Sequence, residues 1–170
     1  MEQAKILSLN IKWSYKNLFL FLSLIILPNI LGAFNLNTPW GFKIHFFQIA
    51  IFAAAAIFGP GGGALSGLFG SIYSSILTAN PYIIIGNVIL GFFVGLFIKL
   101  KLPFFLAILF AYCLQLPWLV LTDYYLVNLG MTFIKNLIFS LAASHAVWAI
   151  IIYWLLPHFQ KLKKSGDLKC

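Results

Sequence analysis

The sequence has 170 residues, of which 62% are hydrophobic and only 8% are charged, and its formal net charge is +8. An ordinary soluble domain is about 45–50% apolar and about 25% charged. The composition therefore excludes a water-soluble globule and indicates one membrane domain over residues 1–170. All eleven cations are lysines, and no basic and aromatic patch lies outside the apolar segments, so no nucleic-acid partner is expected.

Six apolar segments reach or approach the length of about 20 residues that a membrane-spanning helix needs. The breaks after the second, third and fourth segments are short and contain proline: Gly59-Pro60, Asn80-Pro81 and Lys101-Leu102-Pro103. We therefore predict an all-α bundle of six transmembrane helices, in which helices two to five form tight hairpins. The predicted spans are residues 17–34, 44–58, 62–79, 82–98, 103–122 and 132–156.

The distribution of lysines predicts the orientation of this bundle. If both termini lie on one side, nine lysines share that side and two, Lys43 and Lys135, lie on the other. Basic residues at helix ends mark the cytoplasmic side, so we predict that both termini are cytoplasmic. The nine lysines are Lys5, Lys12, Lys16, Lys99, Lys101, Lys161, Lys163, Lys164 and Lys169.

Neither a cleaved leader nor a metal or disulfide site is predicted. The polar and basic N-terminal segment precedes an apolar stretch without a small-x-small cleavage site, which favours a retained first helix. The two cysteines, Cys113 and Cys170, lack metal-binding spacing. The three histidines, His45, His145 and His158, are dispersed along the chain.

A glycine-rich stretch, GPGGGALSGLFGSIYSS, covers residues 59–75. A phosphate-binding loop would need a lysine after its glycines, and none occurs between Lys43 and Lys99, so nucleotide binding is excluded. Small residues spaced by four let helices approach closely in lipid, which favours packing within the chain or against a partner. The predicted packing residues are Gly32, Ala33, Ala53, Ala54, Ala55, Ala56, Gly63, Gly67, Gly70, Gly91 and Gly95.

The same stretch allows a second hypothesis, an intramembrane serine hydrolase or protease. Ser66 lies among small residues and His145 lies in another span, and a serine and a histidine on different helices can form a nucleophilic dyad. The surrounding GALSG differs from the Gly-x-Ser-Gly of rhomboid proteases. A third hypothesis, a structural membrane protein, predicts no pocket and no bound small molecule.

The stretch from Gly41 to Lys99 carries a family resemblance. It contains GFKIHFFQIAIFAAAAIFGPGGGALSGLFGSIY, followed after six residues by NPYIIIGNVILGFFVGLFIK. This stretch resembles the substrate-binding S component of energy-coupling factor (ECF) vitamin transporters. The shared pattern is a helix ending in Gly-Pro, then Gly-Ala-Leu-x-Gly-x-x-Gly, then a helix that begins with proline and has a central glycine. Six short helices and a long first outer loop agree with this resemblance.

The resemblance implies a transport subunit without a cofactor, not an enzyme, in the plasma membrane of a prokaryote. Such a subunit captures a vitamin or similar micronutrient at its outer side and delivers it inward with a membrane T subunit and two ATPase subunits. Small-residue helix faces commonly contact the T subunit; here Gly32-Ala33 replaces the family's usual Ala-x3-Ala, and the alanines of the second span are a substitute candidate. Nickel and cobalt members carry His directly after Met, whereas this chain begins Met-Glu-Gln, so an organic substrate is expected.

The resemblance places the substrate between the outer loops and the outer halves of the fourth to sixth helices. Polar residues inside a membrane usually face the bundle interior, and Asn136, Ser140 and Ser144, spaced by four, share one helix face. The predicted substrate-binding residues are Trp40, Asn80, Tyr82, Asn87, Gln115, Trp118, Asp123, Tyr124, Asn136, Ser140, Ser144, His145 and Trp148.

Asp123 is the one acid between Glu2 and Asp167. At the outer mouth it can pair with a cationic ligand, to which aromatic neighbours would add about 0.5–2 kcal/mol of cation–π attraction. The alternatives are an ion pair with Lys135 or simple solvation. A structural hydrogen bond is also predicted for His45 and Gln48, which are spaced by three in the second span.

Overall fold

The computed structural model describes residues 14–39 and 41–167, with side chains up to 158 and at 161. Five helical stretches in these ranges are long and apolar enough to cross a membrane. The predicted class, an all-α membrane protein, is confirmed at this level. In chain order the elements are α1 (Tyr15–Gly32), β1 (Asn35–Asn37), β2 (Lys43–His45), α2 (Gln48–Gly70), α3 (Ile72–Leu77), α4 (Tyr82–Lys99), α5 (Phe104–Leu121), a π-helical turn (Thr122–Leu126) and α6 (Met131–Asp167).

The local sequence explains where several helices begin. Ser14 Oγ accepts a hydrogen bond from the Asn17 amide at 3.2 Å and so caps the start of α1. Pro81 and Pro103 directly precede α4 and α5. At these positions the missing N–H of proline removes no helical hydrogen bond, because the first amides of a helix have no partner within it.

The outward surface of the helices is apolar. Phe19 of α1 is 74% exposed, Ile76 of α3 is 75% exposed and Trp154 of α6 is 76% exposed. A soluble protein rarely exposes contiguous apolar surface of this kind, whereas hydrocarbon chains of a bilayer accept it without cost. The exposed side chains therefore face lipid, and the polar residues are left to the interior and to the two ends of the bundle.

A chain reversal at Gly59 divides α2 into two antiparallel arms, residues 48–58 and 60–70. Gly59 has φ 77° and ψ −163°, a conformation that glycine adopts without the clash of a side chain. A Cβ placed on Gly63 would lie 2.9 Å from the Cβ of Ala55, whereas eight residues of a straight helix span about 12 Å. The predicted break between the second and third spans is thus a tight turn between two helical arms.

The second arm of α2 runs parallel to α1. Ser66 Oγ donates a hydrogen bond to the Leu24 carbonyl at 2.7 Å, and the Tyr73 amide donates to Asn29 Oδ1 at 2.9 Å. Both partners advance along the chain in the same direction, so the two segments point the same way. The hydroxyl and amide groups of these pairs are satisfied inside the bundle, as lipid requires.

A glycine seam joins the second arm to α4. The backbones of Gly63 and Gly91 meet directly, Gly67 meets the backbone of Asn87, and Gly95 packs against the chain reversal. Residue numbers along the second arm rise as the numbers of their partners on α4 fall, so the two helices are antiparallel. The small residues predicted for packing therefore serve contacts within the chain here, because the close approach needs glycine on both sides.

The alanines of the first arm are also interior. Ala53, Ala54 and Ala55 are each no more than 1% exposed, so they are not free to contact a partner helix. Gly70 packs against Pro28, and a Cβ on Gly32 would lie 2.9 Å from Ser74 Oγ. Ala56 is half-buried and Ala33 is exposed.

The bundle has two ends, which we call the lysine end and the loop end. α5 and α6 are antiparallel, with ring contacts between Phe105 and Tyr153 at 5.8 Å and between Tyr112 and His145 at 4.6 Å. The start of α1, the end of α4, the start of α5 and the far end of α6 thus lie together at the lysine end. Lysines placed there are Lys16, Lys99, Lys101 and Lys161. The loop end contains Lys43 and Lys135.

The structure differs from the predicted spans in two places. Residues 44 and 45, predicted as helical, belong to β2, which pairs antiparallel with β1 in a register that sets Leu36 opposite Ile44. The polar and apolar residues alternate here, which suits a strand, and the helix starts only at Gln48. At the other end of the chain α6 continues to Asp167, past the predicted end at 156, because lysine and glutamine are good helix formers.

Candidate ligand cavity

A cavity of about 580 Å³ lies at the loop end of the bundle. Its volume falls in the range of about 300–1,000 Å³ that is typical of small-molecule sites. The strand β2, the end of α3 and the adjoining ends of α4, α5 and α6 form its walls. Most of the lining is apolar and includes Leu77, Leu119, Val127, Leu129, Phe133, Leu137 and Leu141.

One wall carries a connected cluster of Asp123, Asn80, Tyr82 and Trp118. Asn80 Nδ2 donates to Asp123 Oδ1 at 2.7 Å, and the Tyr82 backbone N–H donates to Asn80 Oδ1 at 3.1 Å. Trp118 Nε1 donates to the Tyr82 carbonyl at 3.0 Å, and the two rings lie 6.5 Å apart. The cluster ties the start of α4 to the end of α5, and its carboxylate and two aromatic residues line the same cavity.

Asp123 lies in the π-helical turn that follows α5. Such turns are often found at functional sites, and its carbonyl accepts a hydrogen bond from the Leu129 amide at 2.9 Å. The side chain is only 4% exposed, and it forms no ion pair with Lys43 or Lys135 among the residues that the structure describes. An ion pair with Lys135, one of the two alternatives to a ligand contact, is therefore not found among the described side chains.

A ladder of amides runs from the interior to the cavity. Ser71 Oγ donates to the Gly67 carbonyl at 2.6 Å, and Asn87 Nδ2 donates to Ser71 Oγ at 2.8 Å. Gln115 Nε2 then donates to Asn87 Oδ1 at 3.4 Å. Asn87 and Gln115 are 3% and 5% exposed, and both line the cavity. This series of hydrogen bonds therefore places the side-chain amide of Gln115 at the cavity wall.

Side chains of α6 hold the strand β2 in place. The Lys43 amide donates to Ser140 Oγ at 3.2 Å, and the His45 amide donates to Ser144 Oγ at 2.9 Å. Trp148 Nε1 donates to the His45 carbonyl at 2.6 Å. The serines spaced by four do lie on one face, and that face binds a strand that itself forms part of the cavity.

His45 lines the cavity from β2. Burial, and next the neighbouring charge of Lys43, lower the pKa of its imidazole below the ordinary value of 6.5. The ring is therefore neutral at pH 7 and offers one donor and one acceptor.

His145 and Gln48 lie deeper than the cavity. His145 is 4% exposed and its ring packs on Tyr112 at 4.6 Å and on Phe52 at 5.3 Å. Gln48 is 1% exposed, and neither its amide nor the imidazole of His145 has a hydrogen-bond partner among the described residues. The helix face predicted to be shared by His45 and Gln48 is wrong, because His45 lies in β2 rather than on the helix. The structural hydrogen bond predicted for the Gln48 side chain is not found among the described residues.

Most of the predicted substrate-binding residues come together at this cavity. Those that line it are Asn80, Tyr82, Asn87, Gln115, Trp118, Asp123, Asn136 and Ser140. Tyr124, Ser144, His145 and Trp148 do not line it; Tyr124 packs on Tyr125 with ring centroids 4.9 Å apart. Trp40 lies outside the described residues.

The sequence reasoning expected the outer loops at the substrate site but named only Trp40 in the first of them, and it missed other residues of the lining. Lys43, His45 and Phe47 line the cavity, as do Gly86 and Thr122. A signal for the hairpin was present, because Asn-Leu-Asn and Lys-Ile-His alternate on either side of a segment rich in turn residues. The alternation covers only three residues on each side, so it is a weak signal for the strand that carries these residues into the mouth of the bundle.

Ser66 and His145 do not form a dyad in this structure. Ser66 is 0% exposed, and its hydroxyl donates to the Leu24 carbonyl. The two ring nitrogens of His145 have no partner within the described ranges, so no hydrogen bond joins serine and histidine. The helix α1 occupies the position that a base would need.

The comparison with known proteins leaves the fold and the cavity as the basis for assigning a function. No family model, no curated protein and no solved structure matches this chain. What the structure defines is a helical membrane protein with a cavity at one end, lined by apolar side chains and by a few polar groups in fixed orientations.

Proposed function

We propose that this chain is the substrate-capture subunit of an ECF-type importer. It binds a small organic micronutrient in the cavity at the loop end and delivers it inward together with a membrane T subunit and two ATPase subunits. The resemblance of the Gly41–Lys99 stretch to S components supports this role. The ATP chemistry belongs to the partners, because this chain has no phosphate-binding loop.

The observation that carries the proposal is the placement of the cavity. It lies at the end of the bundle opposite Lys99, Lys101 and Lys161, and its volume suits a vitamin-sized molecule. Lysine-rich ends face the cytoplasm, so the cavity opens to the outside, where an importer meets its substrate. Asp123 and Trp118 supply the polar and aromatic contacts on its wall.

The same orientation implies six crossings of a prokaryotic plasma membrane, with both termini in the cytoplasm. The two arms of α2 count as two crossings, because the chain reverses at Gly59. The second arm is extended by α3 toward the loop end.

Mass spectrometry of the small molecules released from the purified protein tests the capture role. We expect one compound, near one per chain, after denaturation of the protein in detergent. Trp118→Ala and Asp123→Asn should lose it, because they remove an aromatic face and a charge from the cavity wall. Trp154→Ala, which removes a lipid-facing ring of the same kind, should retain it. A chain that is empty whenever it is purified would contradict the proposal.

A second experiment tests the partners. Affinity purification of the tagged chain from its own membranes should recover one membrane T subunit and two ATPase subunits. ATP-dependent uptake of the compound identified by mass spectrometry should then require all of them. Uptake that proceeds without ATPase partners would contradict an ECF-type mechanism and leave the cavity as a binding site of another transport class.

A further inference from the structure

The hydrogen-bond directions at the cavity wall indicate what kind of ligand it accepts. A carbonyl oxygen can only accept and a backbone N–H can only donate. A series of hydrogen-bonded side chains that begins at such a backbone group therefore has one possible direction of donation. Two such hydrogen-bond chains run from a backbone group to the cavity wall. Each leaves one acceptor oxygen without a described partner, and the amide nitrogens of Asn80 and Gln115 each keep a second N–H.

The first chain starts at the Gly67 carbonyl. Because that oxygen takes the proton of Ser71, the Ser71 oxygen must accept from Asn87 Nδ2 at 2.8 Å. Asn87 then presents Oδ1, which must accept from Gln115 Nε2 at 3.4 Å. The remaining atom, Gln115 Oε1, is buried and has no partner among the described residues.

The second chain starts at the backbone N–H of Tyr82. This group donates to Asn80 Oδ1 at 3.1 Å, so Asn80 must turn its Nδ2 toward Asp123, where it donates to Oδ1 at 2.7 Å. No described residue donates to Asp123 Oδ2. One neutral hydrogen bond does not compensate a carboxylate that is 4% exposed at the end of a membrane helix.

The Asp123 carboxylate has no cationic partner among the described residues. Lys43 and Lys135 are the lysines at the loop end, and neither lies within ion-pair distance of Asp123 in the described ranges. Trp118 and Tyr82 flank the cluster, and their ring faces attract cations. The indole N–H of Trp118 is already used by the Tyr82 carbonyl, so the ring offers its face rather than a donor.

We infer that the ligand of this cavity is a small organic molecule that carries a protonated nitrogen with N–H donors, which binds Asp123 Oδ2. A second N–H of the same molecule, or of a water that it carries, pairs with Gln115 Oε1. The apolar side chains around them accommodate the rest of the molecule. This inference rests on the proposed capture role and narrows it to amine or amidine-like substrates.

Three probes of one shape and different charge test the inference: tryptamine, tryptophol and indole-3-acetate. Their binding to the purified full chain is measured by equilibrium dialysis at pH 7. Tryptamine should bind at least about 10-fold more tightly than the other two, as a charge-assisted hydrogen bond provides. Asp123→Asn should bring tryptamine and tryptophol within about two-fold of each other. Trp154→Ala, which removes a lipid-facing ring away from the cavity, should leave the preference unchanged.

The outcomes separate this inference from the capture role. If tryptophol or indole-3-acetate binds as well as tryptamine, the cavity is a binding site but its preference for a cation is wrong. If none of the three binds and the purified chain carries no compound, the capture role fails as well. The preference of the unaltered chain decides the question even if Asp123→Asn does not fold. Gln115→Leu should weaken tryptamine binding about 3- to 10-fold, and an unchanged affinity would remove Gln115 from the site.

Discussion

The side chains of the cavity wall are oriented by series of hydrogen bonds that begin at backbone groups. Asn80 is oriented by the Tyr82 amide, and Asn87 is oriented through Ser71 by the Gly67 carbonyl. A backbone group cannot rotate to another partner, so the acceptors at the wall are in place before a ligand arrives. Such preorganisation lowers the cost of ordering groups on binding.

Asn80 is the residue whose loss should be felt most widely. Asn80→Ala removes the donor to Asp123 and the acceptor for the Tyr82 amide, which leaves two buried polar groups unpaired. We expect the free energy of unfolding to fall by about 1–3 kcal/mol, measured by thermal unfolding in detergent. Asn136→Ala is the matched control, because Asn136 is exposed and no hydrogen bond is described for its side chain. Equal melting temperatures for the two variants would contradict the role of Asn80.

His45 should make stability depend on pH. Its pKa in the folded chain is lowered below 6.5, chiefly by burial, so below that value the unfolded chain binds more protons than the folded one. The contribution of His45 to stability is complete above about pH 7 and is lost as the pH falls toward its lowered pKa. Thermal unfolding between about pH 5 and 8 should show a shallower decline in His45→Gln than in the unaltered chain. Identical slopes would exclude this effect.

At the scale of elements, two kinds of contact position the cavity. The glycine seam brings α2 and α4 into backbone contact and so sets where α4 begins at the loop end. The serines of α6 hold β2, which brings Lys43 and His45 to the cavity. Both contacts depend on small side chains at regular helical spacing.

Gly63→Ala tests the seam. A Cβ at this position would meet the backbone of Gly91, and the helices must separate to admit it. Overpacking of this kind costs about 1–3 kcal/mol, so a clear fall in melting temperature is expected. Gly130→Ala is the control, since a Cβ there has nothing within 4 Å. If both variants unfold at the same temperature, the seam does not stabilise the fold.

Ser144→Ala tests the attachment of β2. The His45 amide loses its acceptor, so its hydrogen exchange should speed up and the unfolding free energy should fall by about 1–3 kcal/mol. Binding of the compound found in the cavity should weaken too, because β2 forms part of the wall. Ser75→Ala, in which the lost hydroxyl has no described hydrogen bond, should alter neither. Unchanged exchange at residues 43–47 in Ser144→Ala would show that β2 is held by other contacts.

At the scale of the whole molecule, the ends of the bundle differ in charge and in structure. The lysine end is formed by helix ends and one short loop, whereas the loop end contains the β-hairpin, the π-helical turn and the cavity. Lysines bind anionic headgroups of the inner leaflet, so the proposed orientation turns the cavity toward the outside.

Cysteine labelling tests this orientation. In a chain carrying Cys113→Ser and Cys170→Ser, a membrane-impermeant maleimide applied to intact cells should label Gly130→Cys at the loop end. Lys101→Cys, at the lysine end, should be labelled only after the membrane is permeabilised. The reverse pattern would turn the cavity toward the cytoplasm and contradict an uptake role.

Much of the fold could be predicted because hydrocarbon imposes simple rules on a sequence. Lengths of apolar residues predicted the helices, and proline and glycine predicted their breaks, including the reversal at Gly59. Spacing by four predicted the faces of Ser140 and Ser144. The strand β2 could not be predicted from these rules, because a short strand held by serine side chains leaves only a weak alternation in the sequence.

The amino-acid sequence by itself determined that this is an all-α membrane protein with lysines gathered at one end, since the low polarity of lipid admits few alternatives for a chain of this composition. Only the tertiary structure decided which polar residues meet. It brought Asp123 to Asn80 across 43 positions, and it placed His145 and Trp148, both predicted to bind substrate, outside the lining of the cavity. The physical reason is that hydrogen bonds between distant segments depend on how the helices pack. Close packing is set by pairs such as Gly63 and Gly91, and the spacing of small residues along each helix does not show which residues of two helices meet.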